Sequence, residues 1–568
     1  MDSEKRNLML AMMASLAIFA GYYYFYERHQ HPVTQQQPAQ TAEAAPQQTV
    51  AQDLPLPLSS VPLSYEEAKK GTQIAIKTNT LSGSLSLTGA RLDDLLLTQY
   101  KETTNPDSGS VRLLSPAGTA HAYYMESGWV SPDKTIGMPT ATTVWTADKS
   151  TLSPGNPVTL SWKNPQGVEF RRLVTIDDQY MITVTDSIQN GSTHNFQAHS
   201  FGLISRTNPE ENSNSYALHE GAVGYLEGKL KEEKFKDIQN EKAFTYGSTG
   251  GWFGFTDKYW LTALVPFQSQ NVTAKFRSVG TEGQNRYQAD FTSPATLVQP
   301  GMTVQNTFHF YAGAKSVDIL DGYEKTLNIP HFDLAIDFGW FYFITKPLFF
   351  VLQKLYDVLG NFALSIIVLT LMIRALLFPL ANKSYQSMAK MKDLQPQLTR
   401  IKEQAGDDKV KLNRDMMALY KQHKVNPVSG CLPMFLQIPV LFAIYKVLLI
   451  SIEMRHAPLF GWIKDMSAPD PTSFFNLFGL IPWAPPSFLM IGALPLLMGG
   501  TMFLQQKLSP QPMDAMQSKM FLIMPFIFTY MLAQFPAGVV FYWTLTNILA
   551  IAQQWAIMQM DHKKKGKK

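Results

Sequence analysis

Cysteine is nearly absent. Cys431 stands alone in 568 residues, so the chain cannot cross-link itself. The histidines show no metal-ligand spacing: His194, His199 and His219 stand singly in strand-like sequence, where a lone histidine is ordinarily structural. No phosphate loop of the P-loop type occurs, which excludes a hydrolysis cycle of that kind. There is no nucleic-acid module and the net charge is only +4, with the basic clusters beside apolar helices, so DNA is not an expected partner. No carboxylate pair or His–acid constellation stands ready for acid–base work, and no internal repeat is visible. An enzyme is not expected, and neither is a cofactor or a metal.

What the chain does contain falls into two unlike parts, and their average puts the mean hydropathy near zero. Residues 8–26, LMLAMMASLAIFAGYYYFY, follow Lys5 and Arg6 and end in tyrosines, as a spanning helix with an interfacial belt would. A cleaved signal peptide is the competing reading. The run is long for a signal core and no small-x-small site closes it, which favours a retained anchor over residues 1–28. Residues 29–60 are rich in Gln, Pro, Ala and Thr and read as a disordered linker. From 61 to 335, alternating stretches such as Val158-Thr-Leu160-Ser-Trp162 lie between turns such as Pro154-Gly155-Asn156-Pro157 and Asn190-Gly191-Ser192. They predict a large antiparallel β-sandwich, with short helices near 64–70, 228–236 and 316–327. Trp252, Phe253, Tyr259 and Trp260 read as core aromatics in preference to a sugar platform.

The second part reads as a membrane α-helical bundle. Residues 336–359 suit an amphipathic helix lying in the interface. Residues 360–381 hold NFALSIIVLTLMIRALLFPL, long enough to cross a ~30 Å hydrocarbon core. Arg374 sits inside that run, where a guanidinium costs at least ~2.5–3.5 kcal/mol, and Thr370 shares its face. Snorkelling to headgroups is the plain alternative. Residues 382–428 carry a basic excess and two Met-lined helical patterns broken at Ala405-Gly406-Asp407-Asp408, a cytoplasmic helical hairpin. Four further crossings are expected within 429–560, at 432–450, 487–504, 520–535 and 537–558, before a basic tail at 561–568. Six crossings with both termini in the cytoplasm satisfy the charge of every loop and put the β domain outside. Arg374, Gln437 and Gln554 then lie in the inner half, and Asn547 shares a face with Gln554. No acidic residue in these helices can pair with Arg374. A dry bundle would need one; a hydrated groove open to the cytoplasm would not. The amide side chains read equally well as interhelical glue. Lys446, in an outer half, is expected to snorkel.

Three stretches carry a family resemblance: IRALLFPLANKSYQSMAKMKDLQPQL, MMALYKQHKVNPVSGCLPMFLQIPVLFAIY and FPAGVVFYWTLTNILAIAQQ. They resemble the YidC-type membrane protein insertases of the Oxa/Alb family, in the Gram-negative form. WKNPQGVEFRR, FTDKYWLTALVP and LVQPGMT extend the likeness more loosely into the β domain. The resemblance implies a supersandwich similar to sugar-mutarotase folds, and a substrate groove with its arginine at Arg374, threonine at Thr370 and glutamine at Gln437. Trp543 falls where family members often carry tyrosine, which keeps the aromatic surface and loses the hydroxyl. The implied activity is that of an insertase and chaperone of the bacterial inner membrane, receiving nascent membrane proteins alone or with the Sec translocon and its accessory subunits. Lys390, Met391, Lys392, Arg400 and Lys402 of the hairpin would meet clients, the signal recognition particle or its receptor. Lys563 and Lys564 of the tail would approach the ribosome, and membrane lipids would surround the bundle. A small-anion secondary transporter built on Arg374 is the alternative; it predicts a repeat and a midplane site. A tethered carbohydrate enzyme would need a catalytic constellation in the sandwich.

Overall fold

Two β-sheets facing one another make up the first part of the chain in the computed structural model. The structure describes residues 62–209, 218–278, 285–406, 408–423, 432–508 and 515–565, with 432–437, 515–518, 561–565 and a few other helix positions as backbone only. The expected anchor and linker at 1–60 therefore lie outside the described residues.

Among the described residues one sheet has eleven strands and the other nine. Period-two alternation builds them: Met181–Asn190 buries Ile182, Val184 and Ile188 and leaves Thr183, Thr185 and Ser187 half-exposed. It pairs antiparallel with Val168–Ile176 and Thr303–Ala314 at the middle of the smaller sheet. Phe196–Thr207 occupies the same place in the larger one, between Tyr123–Val130 and Arg286–Thr292. The inner faces meet edge-on through Phe291 and Phe308 at 5.6 Å and Phe253 and Phe276 at 6.1 Å. Arg172, 2 % exposed, ties the layers: its guanidinium donates to Asp186 on its own sheet and to the Ser127 carbonyl on the other, both at 2.6 Å. A buried ion is tolerated there because the carboxylate and carbonyls satisfy it.

Three short helices decorate this domain: α1 (Tyr65–Ala68), capped by Ser64 and Glu67; α2 (Phe235–Glu241); and α3 (Val317–Thr326). The helix expected at 228–236 is instead the strand Lys229–Lys234, with α2 starting only at Phe235. Glu227 and Gly228, at φ 53° and 72°, make the left-handed two-residue turn that pairs Lys229–Lys234 with Gly221–Leu226. Trp252 and Phe253 are fully buried, as core residues.

The helical part follows as α4 (Tyr342–Leu359), α5 (Phe362–Ala405), α6 (Lys409–Gln422), α7 (Leu432–Ile450), α8 (Ala493–Leu508), α9 (Ala515–Leu532) and α10 (Ala537–Lys565). By length and composition Phe362–Pro379 is long and apolar enough to cross a bilayer, and Ile438–Ile450 and Lys519–Leu532 are shorter apolar helices. The crossing expected at 360–381 and the first hairpin arm are one continuous helix, α5. In the unit comprising Tyr385–Gly430, Leu394, Leu398 and Leu419 are buried, and Asp408 caps α6 by accepting from Val410 N and Lys411 N.

At the junction Lys346 of α4 reaches Asp333 at 2.6 Å and Asp321 at 3.3 Å. Lys446 does not snorkel: its ammonium lies 2.7 Å from the Asp337 carboxylate and pins α7 to the end of the β domain. α4 starts at Tyr342 rather than near 337, because Asp337 turns its carboxylate to Lys446 and to Gly339 N. The helix expected at 487–504 begins later, at Ala493. Its first amides are taken by side chains from far upstream, Ala493 N by Thr472 Oγ1 at 3.0 Å and Leu494 N by Asp470 Oδ2 at 2.8 Å. The loop between is closed at its base by Ser473 Oγ to Leu489 O and Phe474 N to Ile491 O. No charged residue occurs from 471 to 506, and Leu480 at the loop tip is 85 % exposed.

Candidate functional site

The site grows from a sharp elbow. α4 ends at Gly360 in the left-handed region at φ 64°, and the side chain of Asn361 caps α5 by accepting from Leu364 N at 3.0 Å. Three and a half turns on, half-buried Arg374 donates through Nη2 to the backbone carbonyl of Thr546 on α10 at 2.9 Å. Among the described residues no carboxylate pairs with it. The guanidinium is thus held by a main-chain carbonyl of a neighbouring helix. Thr370, one turn earlier, is 3 % exposed and its hydroxyl donates to Ile366 O of its own helix at 2.6 Å.

α10 presents its polar residues from one arc, since Trp543, Asn547 and Gln554 recur at spacings of four and seven. Asn547 Nδ2 lies 3.3 Å from Thr501 Oγ1, and Gln554 Nε2 donates to Leu508 O at 3.0 Å, both on α8. These two amides bridge helices. Trp543 packs edge-on against Phe528 of α9 at 6.3 Å. Gly499 lets α8 come close to α9, because a Cβ there would collide with the Thr529 hydroxyl. Beside these bridges the buried Trp543 Nε1, Gln553 Nε2 and Gln554 Oε1 find no partner among the described residues. Unpartnered buried polar atoms each cost free energy, so these positions along α10 stand out from an ordinary apolar helix face.

Of the expected groove residues, the structure brings Arg374 to α10 at the level of Thr546, next to Asn547 and one turn from Trp543. It turns the amides of Asn547 and Gln554 toward α8. The Gln437 side chain lies outside the described residues, as do those of Lys392, Lys563 and Lys564. On the last turns of α5, Lys390, Arg400 and Lys402 are exposed and Met391 is half-buried. The Thr546 carbonyl and Thr501 were not anticipated. A backbone acceptor leaves no mark in a sequence, whereas Thr501 was open to detection as a hydroxyl in an apolar run. In the β domain Glu324, His331 and Asp333 bring ligand atoms within 4.8 Å of one another, but Asp333 is already held by Lys346 and Tyr342.

The family model of the YidC periplasmic domain matches residues 73–351, and that of the 60Kd inner membrane protein matches residues 354–565. The membrane protein insertase YidC of Rickettsia bellii (strain OSU 85-389) is 46 % identical over 99 % of this chain and 100 % of its own length. That of Rickettsia canadensis (strain McKiel) is 47 % identical over the same shares. A crystal structure of an active YidC insertase with its first transmembrane domain resolved aligns at 17 % identity and a TM-score of 0.36, covering 85 % of this chain and 92 % of that one. A β-rich domain matched by a periplasmic-domain model and a helical one matched by an inner-membrane-protein model make this an inner-membrane protein with a large periplasmic module. The chain belongs to the YidC family of membrane protein insertases.

Proposed function

We propose that the protein moves nascent inner-membrane proteins from the cytoplasm into the bilayer through a groove lined by Arg374, Thr370, Gln437, Trp543, Asn547 and Gln554. The observation that carries this reading is the Arg374 guanidinium, resting on the Thr546 carbonyl with no carboxylate beside it and unpartnered polar atoms along α10. The bundle has six crossings, counting the N-terminal helix. Both termini and the hairpin face the cytoplasm, the β domain lies in the periplasm, and the polar level lies in the inner leaflet.

A client's hydrophilic tail enters this groove from the cytoplasm and crosses a shortened apolar path. Acidic tail residues are drawn by Arg374 with at most a few kcal/mol, because water screens the charge. The apolar client helix then leaves sideways, driven by its burial in lipid at about 25 cal/mol per Å². No covalent chemistry is involved. Lys390, Met391, Lys392, Arg400 and Lys402 receive clients or targeting factors such as the signal recognition particle or its receptor. Lys563 and Lys564 approach the ribosome, and the protein acts alone or with the Sec translocon and its accessory subunits.

The test is insertion of short single- and double-spanning clients after depletion of the native protein and complementation. Arg374→Ala should accumulate in the membrane at normal level yet fail to insert acidic-tailed clients. Normal insertion by that variant would sink the groove mechanism.

A further inference from the structure

The segment between α7 and α8 ends in a tip built from apolar side chains. Leu477, Phe478, Leu480, Ile481, Trp483 and Phe488 are between 44 % and 85 % exposed. Charge is confined to the base of the segment, at Lys464, Asp465 and Asp470, and none follows until Lys507 in the last turn of α8. Leu477 and Phe478 stand in the left-handed region at φ 50° and 57°, which bulky residues rarely occupy. The chain thus accepts local strain in a shape that leaves both side chains outside the core.

The tip also uses up its own main-chain donors. Phe478 N donates to Ser473 O at 2.8 Å, Leu480 N to Leu477 O at 3.3 Å, Ile481 N to Asn476 O at 3.1 Å and Trp483 N to Ile481 O at 2.8 Å. Gly479 N donates to Asn476 Oδ1 at 3.0 Å, and Pro482 has no N–H to place. Every backbone donor from Phe478 to Trp483 is therefore satisfied within the segment or absent. A loop in water needs no such arrangement, because solvent serves its free amides. A loop in hydrocarbon does, because nothing else there can.

Ser487 O accepts from Gln534 Nε2 at 2.8 Å, just past the C-terminal end of α9, while Asp470 and Thr472 hold the N-terminus of α8. The segment therefore sits against the same end of both helices. α8 has 16 residues and α9 has 18, about 24 and 27 Å against ~30 Å of hydrocarbon. A protein partner is ordinarily fixed by a polar rim around its apolar contact. From 477 to 486 the Trp483 indole is the one polar side chain, and tryptophan is at home where headgroups meet acyl chains.

We propose that residues 477–488 insert into the outer leaflet of the bilayer and rest at the boundary between headgroups and acyl chains, anchoring the outer ends of α8 and α9. The proposal rests on the reading of α8 and α9 as membrane helices with these ends outward.

The experiment uses the full-length Cys431→Ser protein in phosphatidylethanolamine–phosphatidylglycerol liposomes, with an NBD dye on Leu480→Cys or, for comparison, on Asp107→Cys in an exposed turn of the β domain. A lipid nitroxide high on the acyl chain should quench the dye on Leu480→Cys about threefold more than that on Asp107→Cys, and iodide on both sides of the membrane should do the reverse. Adding Leu477→Asn and Phe478→Asn keeps the left-handed backbone, which asparagine tolerates, and should remove most of the nitroxide quenching. Full quenching in that variant would show the dye partitioning by itself and overturn the proposal. So would equal iodide quenching at the two sites, or protection from iodide without nitroxide quenching, the mark of a client or a second copy covering the tip. A dye on Leu497→Cys, half exposed on α8, separates the two readings. With the nitroxide low on the acyl chain, quenching at Leu497→Cys joined to none at Leu480→Cys by the upper nitroxide sinks only the tip assignment. Quenching at neither sinks the membrane reading as well.

Discussion

At the scale of single residues, Arg374 and the two amides of α10 should behave differently. Asn547→Ala and Gln554→Ala remove interhelical hydrogen bonds worth about 0.6–2 kcal/mol each. They should lower the thermal stability of the detergent-solubilised protein by that order and leave client insertion within about twofold of wild type. Arg374→Ala should do the reverse. Another residue-scale prediction concerns Asp93, buried on the strand Arg91–Lys101. Burial pushes its carboxyl up to about 7, more than Arg91 draws it down. Between the ordinary value of 3.8 and about 7 the folded state therefore holds a proton that the unfolded chain has released. Stability falls as pH rises through that window, and the loss is complete above it. Asp93→Asn should raise the melting temperature of the β domain at pH 8, by an amount corresponding to a few kcal/mol at most, and by much less at pH 5. Arg374 was conspicuous in the sequence, as an ion in an apolar run with no acid nearby. Its partner was not, since the acceptor is a main-chain carbonyl 172 residues further on.

Elements were legible where local periodicity governs them and obscure where distant groups do. The alternation at 158–162 announced the strand Val158–Lys163, and the apolar run at 361–380 announced the first half of α5. Lys229–Lys234 escaped because LKEEK has helical composition, and only the left-handed Glu227-Gly228 turn makes it a hairpin arm. The start of α8 escaped because its caps are Asp470 and Thr472, more than a dozen residues upstream. Asp470 also accepts from Trp462 Nε1 and Thr472 Oγ1, so one carboxylate organises both the loop and the helix end. Asp470→Ala should cost about 1–3 kcal/mol from buried donors left without an acceptor. It should also open residues 471–492 to protease, seen as a new cleavage band in limited digestion; an unchanged digestion pattern would show that the loop holds itself.

For the molecule as a whole, the β domain is fastened to the helices by ion pairs at its C-terminal end, Lys346 with Asp333 and Lys446 with Asp337. None of this could be read from sequence, because Lys446 and Asp337 lie 109 residues apart and meet only once both parts have folded. Lys446→Ala leaves a partly buried carboxylate unpaired. It should destabilise the junction by about 1 kcal/mol or slightly more and speed proteolysis near residue 337, without abolishing insertion. All of the side chains of the proposed groove come from residues 370–554, so excising residues 61–335 should impair short clients far less than Arg374→Ala does. The tied base of the segment between Ser473 and Leu489 has a practical corollary. Sequence placed at Gly479 would hang from a closed neck without disturbing the register of α7 or α8, which makes that tip a handle for a fluorophore.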